Sequence, residues 1–236
     1  MLFDIKERSY ALEMLDGNTF EEADLVKNLR EIVKINSLLG GHNVTLDGVR
    51  ELVEGRTISR LRILDIGCGA GDTLLYLKKH LEKKYEVQLC GVDINPIVIA
   101  EAKRHCAGSQ IEFVETDYRK YIANSTGFDI IIATLFTHHL VDGEIEELLA
   151  YCKKARIGFV INDLHRNWVA YYLIKWIVHL LPTSRMIKND APLSVKRGFV
   201  PTDLRKLLDA VGLMQARIVW RWAYRWLVVA RTSELR

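Results

Sequence analysis

The sequence predicts an α/β fold in three layers: helices on both faces of a seven-stranded mixed sheet, preceded by a helical N-terminal extension and closed by an antiparallel C-terminal hairpin. Three observations predict it. Short β-branched runs alternate with longer helical stretches from Arg62 onward, which implies right-handed βαβ crossovers and a parallel sheet. Runs such as Ile130 to Ala133 are apolar without interruption, as strands covered on both sides are. Finally, ARIVWRW and YRWLVVAR are separated only by Ala223 and its neighbours, a connection too short for anything but antiparallel strands.

In chain order, the pattern is helical from Tyr10 to about Ser59, with Leu25, Leu29, Ile32, Val33 and Asn36 recurring every three or four residues and Gly40 and Gly41 as a stop. Residues 1–60 are therefore expected to form a helical extension, able to close over the site. Strands follow at RILDI, VQLCGVDI, IEFVETD, FDIIIATL and IGFVIND, with helices at Thr73–Lys84, Pro96–Cys106 and about Gly143–Lys154 between them. A helix from about Thr202 to Val211 precedes the hairpin. The segment Pro182–Val200 reads as long, irregular and basic, so residues of about 165–200 are expected to form a lid inserted in the 61–236 domain.

Composition narrows the partners. The chain has 236 residues, 49% hydrophobic, enough for one substantial core. Its formal charge of +3 is dispersed, with no lysine or arginine block of the kind that tracks a phosphate backbone, so no nucleic-acid partner is expected. Cys68, Cys90, Cys106 and Cys152 stand alone, without zinc-ligand spacing, and point to free thiols in a reducing cytoplasm and to no bound metal. The first residues lack the apolar core of a signal peptide. The apolar run Trp168–Leu181 is shorter than the roughly 20 residues that span a bilayer and contains Lys175 and His179; it is expected to pack in the core or to touch lipid peripherally.

The most informative segment is Leu64-Asp65-Ile66-Gly67-Cys68-Gly69-Ala70-Gly71-Asp72, between a strand and a helix. Glycines there allow a tight turn and close approach of backbone to a ligand at a helix N-terminus. A dinucleotide fingerprint requires a small residue at the sixth position counted from Gly67, where this chain has Asp72. A carboxylate would repel a pyrophosphate but suits a ligand with an amino group and a sulfonium, which favours S-adenosylmethionine (SAM) over NAD. Asp93, ending the second strand, is placed to accept from ribose hydroxyls, and Asp117, ending the third, from an adenine amino group, with Tyr118 as a stacking surface.

LDIGCGAG, GVDIN, VETD and FDIIIATLFTHHL, in that order, resemble the successive motifs of the class I SAM-dependent methyltransferases, over residues of about 61–231. The resemblance implies a Rossmann-like fold and strand order, with Gly67, Cys68 and Gly69 along the methionine part of SAM, Asp93 and Ile94 at the ribose, Asp117 and Tyr118 at the adenine, and Thr134 behind the sulfur. The THHL stretch is similar to the ubiquinone and menaquinone biosynthesis methyltransferases. EMLDGNTFEEADLVKNLREIVKINSLLGGH, INDLHRNW and APLSVKRGFVPTDL look like a bacterial subgroup associated with polyketide and phenolic-lipid enzymes.

Methyl transfer asks the protein to orient an acceptor and, for some acceptors, to take a proton. His139, His165 and His138 follow the fourth and fifth strands and are the candidate bases; local hydrogen bonding or packing is the alternative for each. Either Asp163 or Asn167 is expected to cap the helix that starts near Trp168. The expected activity is O-methylation of a small, lipophilic, phenolic or polyketide-like acceptor by a monomer or homodimer. C-methylation of a quinone precursor and a non-catalytic SAM-binding module are the alternatives. The nucleic-acid methyltransferase signature of the (N/D)PPY type is replaced after the fourth strand by TLFTHH.

Overall fold

The computed structural model describes residues 7–17, 21–125 and 127–232. Strands β1 (Arg60–Ile66), β2 (Glu86–Asp93), β3 (Glu112–Glu115), β4 (Ile130–Thr134), β5 (Gly158–Leu164), β6 (Arg217–Arg221) and β7 (Arg225–Arg231) form one sheet in the order β3-β2-β1-β4-β5-β7-β6. The first five are parallel; β7 runs antiparallel to β5 and β6 to β7. The expected mixed sheet and C-terminal hairpin are both present. The order reverses at β1, whose neighbours β2 and β4 lead to opposite edges, and ligands of open α/β sheets bind at such a point, outside the carboxyl ends of the strands.

The helices are α1 (Glu22–Leu38), α2 (Gly41–Val53), α3 (Asp72–Leu81), α4 (Pro96–His105), α5 (Tyr118–Asn124), α6 (Asp142–Cys152), α7 (Trp168–Leu180), α8 (Arg185–Arg197) and α9 (Pro201–Ala210). One face of the sheet is covered by α5, α6 and α9 through Ile122, Leu148, Leu149 and Leu207. The other is covered by α2, α3 and α4 through Val49, Leu52, Leu74, Leu77 and Ile99. Thus α2 is part of the core: its Gly48 lies so close to the sheet that a Cβ there would stand 2.7 Å from Val160 and 2.9 Å from Leu227. Burial of these branched side chains is the main driving force for layering, about 1.5–3 kcal/mol per large apolar side chain.

Two expectations fail. Residues 8–13 are not helical; they form a strap whose backbone bonds elsewhere, Ser9 N–H to the Lys196 carbonyl (3.1 Å) and Met14 N–H to the Asp190 carboxylate (2.8 Å). Helix begins only at Glu22, after a 3-10 turn at Met14–Asp16. And Pro182–Val200 is not irregular: Ser184 accepts from Ile187 N–H (3.2 Å), starting α8, which continues through Pro192. An interior proline costs about 3 kcal/mol, and here Met186, Ile187, Pro192 and Val195 offset it by burying one face of the helix.

Candidate active site

The loop after β1 hangs from β2: Gly67 N–H and Cys68 N–H both donate to the Val92 carbonyl, at 2.9 and 3.1 Å. Gly67 has φ +65°, and a Cβ on it would stand 2.1 Å from the Phe136 ring, so this position requires glycine both for its conformation and for the aromatic packed on it. Gly69 also has positive φ, yet its Cβ position faces open space, with nothing within 4 Å. A ligand can therefore approach the backbone there.

Around this opening stand the predicted acids. Asp65 is buried, and its Oδ1 has no hydrogen-bond partner; burial, then the nearby Asp72 and Asp93, push its carboxyl well above the usual range. Asp93 is likewise raised by burial, though backbone N–H groups of Asn95, Gly69 and Ile94 hold its charge; the Asn95 bond is 3.0 Å. Ile94 beside it is 70% exposed. Asp72, at the start of α3, accepts from His42 Nε2 at 2.6 Å and from Asn36 Nδ2 at 3.4 Å; burial opposes its ionisation, but these bonds outweigh that and hold it below the usual range. Asp65, Asp72 and Asp93 are thus brought together.

Asp117 is turned to its own helix. It caps α5 through Arg119 N–H (2.8 Å) and binds the Arg119 guanidinium (3.0 Å), a hydrogen bond that keeps its carboxyl low. Tyr118 is buried edge-on to Phe136 and Tyr151, with its hydroxyl unpartnered. Thr134 Oγ1 lies 3.0 Å from Thr45 Oγ1 of α2, which also accepts from Asn162 Nδ2 at 2.9 Å.

The three histidines occupy different environments. His138 is buried, its Nδ1 bonded to Asp163 Oδ1 at 2.7 Å; Asp163 also accepts from Thr137 Oγ1 and His138 N–H. Burial works against the Asp163 charge, but His138 and Thr137 outweigh it and hold the carboxyl well below the usual range. With Asp163 so engaged, the cap of α7 is Asn167, which accepts from Val169 N–H at 2.8 Å. His139 is partly exposed, its Nδ1 bonded to Asp16 at 2.7 Å. His165 lies against Trp226 and Tyr224; burial, then Arg166, lowers its pKa, and its Nδ1 has no partner.

The sequence reading missed the strap's share in this cluster. Glu13 is buried within 3.8 Å of both His138 Nε2 and Arg197 Nε, and burial raises its carboxyl to about 7 against the partial offset of His139, Ser194 and Arg197. Arg197 also binds Asp16 and donates to the carbonyls of His138 and His139. Arg8 donates to the carbonyls of His138 and Leu140, and to Asp142. The strap's partners lie more than 100 residues from it in the chain, and only the E-x-x-D spacing of a capped turn marked Glu13 and Asp16.

The buried orphan oxygen of Asp65, the open face at Gly69 and the amide-held Asp93 fit a ligand that brings a cationic amino group and a ribose. Residues 63–155 match the family model described as a methyltransferase domain. The chain is 32% identical over 130 residues to the ubiquinone biosynthesis O-methyltransferase of Bradyrhizobium diazoefficiens, covering 50% of this chain and 48% of that one. It is 27% identical over 144 residues to the ajmaline N-methyltransferase of Rauvolfia serpentina, covering 55% and 47%. The chain thus spans about half the length of the curated relatives it matches. Human N-acetylserotonin methyltransferase with bound SAM superposes with TM-score 0.61 at 17% identity, over 89% of this chain and 56% of that one. The plantazolicin methyltransferase with bound S-adenosylhomocysteine (SAH) gives 0.60 at 18%, over 85% and 78%. At such identities these two likenesses speak for the fold. Residues 63–155 thus match a methyltransferase domain, and the named methyltransferase relatives and SAM- and SAH-bound neighbours of the same fold support SAM as its cofactor.

Proposed function

We propose that the protein O-methylates a small lipophilic acceptor of phenolic or polyketide-like character, with SAM as donor and His139 as the base. The observation that carries the reading is the Asp16–His139 pair: a 2.7 Å bond at Nδ1 leaves Nε2 to accept a proton. The ubiquinone biosynthesis O-methyltransferases among the relatives support oxygen as the acceptor atom.

In this reading Asp93 holds the ribose hydroxyls beside Ile94, Asp65 and the loop of Gly67, Cys68 and Gly69 line the methionine part, and Asp117 and Tyr118 border the adenine. Asp72, hydrogen-bonded to His42, fixes the start of α3, and Thr134 closes the wall behind the sulfur. When bound, SAM supplies an electrophilic methyl carbon for in-line displacement. His139 takes the acceptor's hydroxyl proton at Nε2, and Asp16 orients the ring and stabilises its charged form. Burial opposes the Asp16 charge, but His139, Glu13 N–H and Arg197 outweigh it, so Asp16 remains an anion across the neutral range. His138, locked to Asp163, positions the turn that presents His139.

The strap at residues 8–16 and helices α7 and α8 act as a cover over the acceptor side. No metal is needed: Glu13, His138 and His139 bring ligand atoms within 4.8 Å of one another, but Arg197 already places a cation in that cluster. The four buried free thiols, Cys68, Cys90, Cys106 and Cys152, suit a reducing cytoplasm. Tritium transfer from labelled SAM to a panel of phenols, compared between wild type and His139→Ala, tests the reading. Methylation confined to carbon acceptors, or unchanged in the variant, would refute it.

A further inference from the structure

Helix α7 packs one side on the protein and leaves an apolar side exposed. Eleven of its thirteen residues are apolar or aromatic, yet only Ala170 and Val178 are buried. Leu173, Trp176 and Leu180, spaced i, i+3 and i+7, form one exposed stripe, with Trp176 67% and Leu180 77% exposed. Trp168, Lys175 and His179 form the stripe beside it. A helix apolar on this scale is normally buried, and an exposed apolar patch rimmed by polar groups marks an interaction surface.

Charge selects the partner. From Asn167 to Asn189 the chain contains no carboxylate and carries Lys175 on α7 and Arg185 and Lys188 on α8, the helix packed against it. The carboxylates that approach from elsewhere are engaged: Glu31 of α1 accepts from Ser184 N–H at 2.9 Å, and Asp190 is buried, accepting from Met14 and Leu15 N–H. A two-fold contact between copies of this chain would set the cationic rim against itself, which disfavours a second copy as the occupant. An anionic lipid surface attracts such a rim and receives tryptophans at headgroup depth. Thirteen helical residues extend about 20 Å, against a hydrocarbon core of about 30 Å, so the helix lies in the interface rather than across it. No helix among the described residues is long and apolar enough to cross a membrane.

The location matters as well. α7 follows the carboxyl end of β5, and the β6–β7 turn, with Trp222 exposed at its tip, meets it there through His165 N–H, which donates to the Tyr224 carbonyl at 2.9 Å. The apolar stripe therefore lies at the edge of the sheet that holds the active site. We propose that α7 docks the protein on an anionic bilayer, with Leu173, Trp176 and Leu180 in the acyl–headgroup boundary. Docking is a property of the chain independent of the acceptor's identity; if the acceptor is lipophilic, the site takes it from the lipid phase.

Flotation of the full chain with vesicles tests this, using an equimolar mixture of phosphatidylcholine and phosphatidylglycerol against phosphatidylcholine alone. The protein is expected to float with the anionic vesicles only and to be released by added salt. The double variant Trp176→Ser, Leu180→Ser is expected to bind about ten-fold less, from the loss of buried apolar surface. SAH titration of the same variant, expected to match wild type, separates a docking defect from misfolding and from failure of the methyltransferase reading. Absence of flotation, equal flotation on both vesicles, or equal flotation of the variant would overturn the proposal. So would a concentration-dependent dimer that the variant abolishes in the absence of lipid, which would assign the stripe to a second copy.

Discussion

His42 of α2 and Asp72 of α3 are joined by a 2.6 Å hydrogen bond, linking the helix before the sheet to the one that starts at the glycine loop. Both are largely buried. His42→Ala leaves the Asp72 carboxylate with Asn36 and a backbone N–H, and loss of a hydrogen bond to a charged group costs about 1.5–3 kcal/mol. Urea unfolding is expected to show that loss together with weaker SAH binding; a variant as stable as wild type would mean the pair does not anchor the loop.

His139→Ala is expected to lower kcat by about 100- to 10,000-fold, the range for loss of a general base, with SAH affinity little changed. Asp16→Asn, which removes the orienting charge and also weakens the hold on Arg197, should fall between. Steady-state kinetics separates the effects: a change confined to KM would show that His139 binds the acceptor instead of taking its proton.

Glu13 makes the strap sensitive to pH. Its folded-state carboxyl is raised to about 7 from an ordinary 4.5, so the neutral form is favoured by folding. The stabilisation is complete below the ordinary value and is lost as pH rises through about 7. Hydrogen exchange of residues 8–16 is expected to quicken across that interval in wild type and to lose this dependence in Glu13→Gln. Identical profiles would remove Glu13 from the account. Its surroundings are Arg197, Ser194, His138, His139 and Asp16, and each is held in place by its own bonds.

Chelation tests the cluster of Glu13, His138 and His139 as a metal site. Activity is expected to survive EDTA, since Arg197 already lies 3.8 Å from Glu13. Loss of activity restored by a divalent cation would contradict this.

The sheet was legible because its signals are local. The uninterrupted apolar run of β4 and the short turn between Arg221 and Arg225 needed no distant information. The glycine loop was legible for the same reason; the acids near it are Asp65, Asp72 and Asp93, while Asp117, expected from its strand end to join them, is bound to Arg119. What the sequence concealed depends on long-range partners. Arg8 and Glu13 acquire meaning only through Leu140, His138 and Ser194. Helix α8 was hidden by Pro192, a helix breaker whose cost is offset by a buried face that no local pattern reveals. Asp117, expected to end β3, lies two residues beyond it as the cap of α5, where Arg119 takes its carboxylate, a competition that strand-end reasoning does not consider.

The proposed methyl transfer requires that the crevice at Gly67–Asp72, with Asp93 near it, hold SAM. Isothermal titration of the protein with SAH and, separately, with NAD tests it most directly. Binding of SAH alone, abolished by Asp93→Ala, is the expected result; binding of NAD, or SAH binding indifferent to Asp93→Ala, would contradict it.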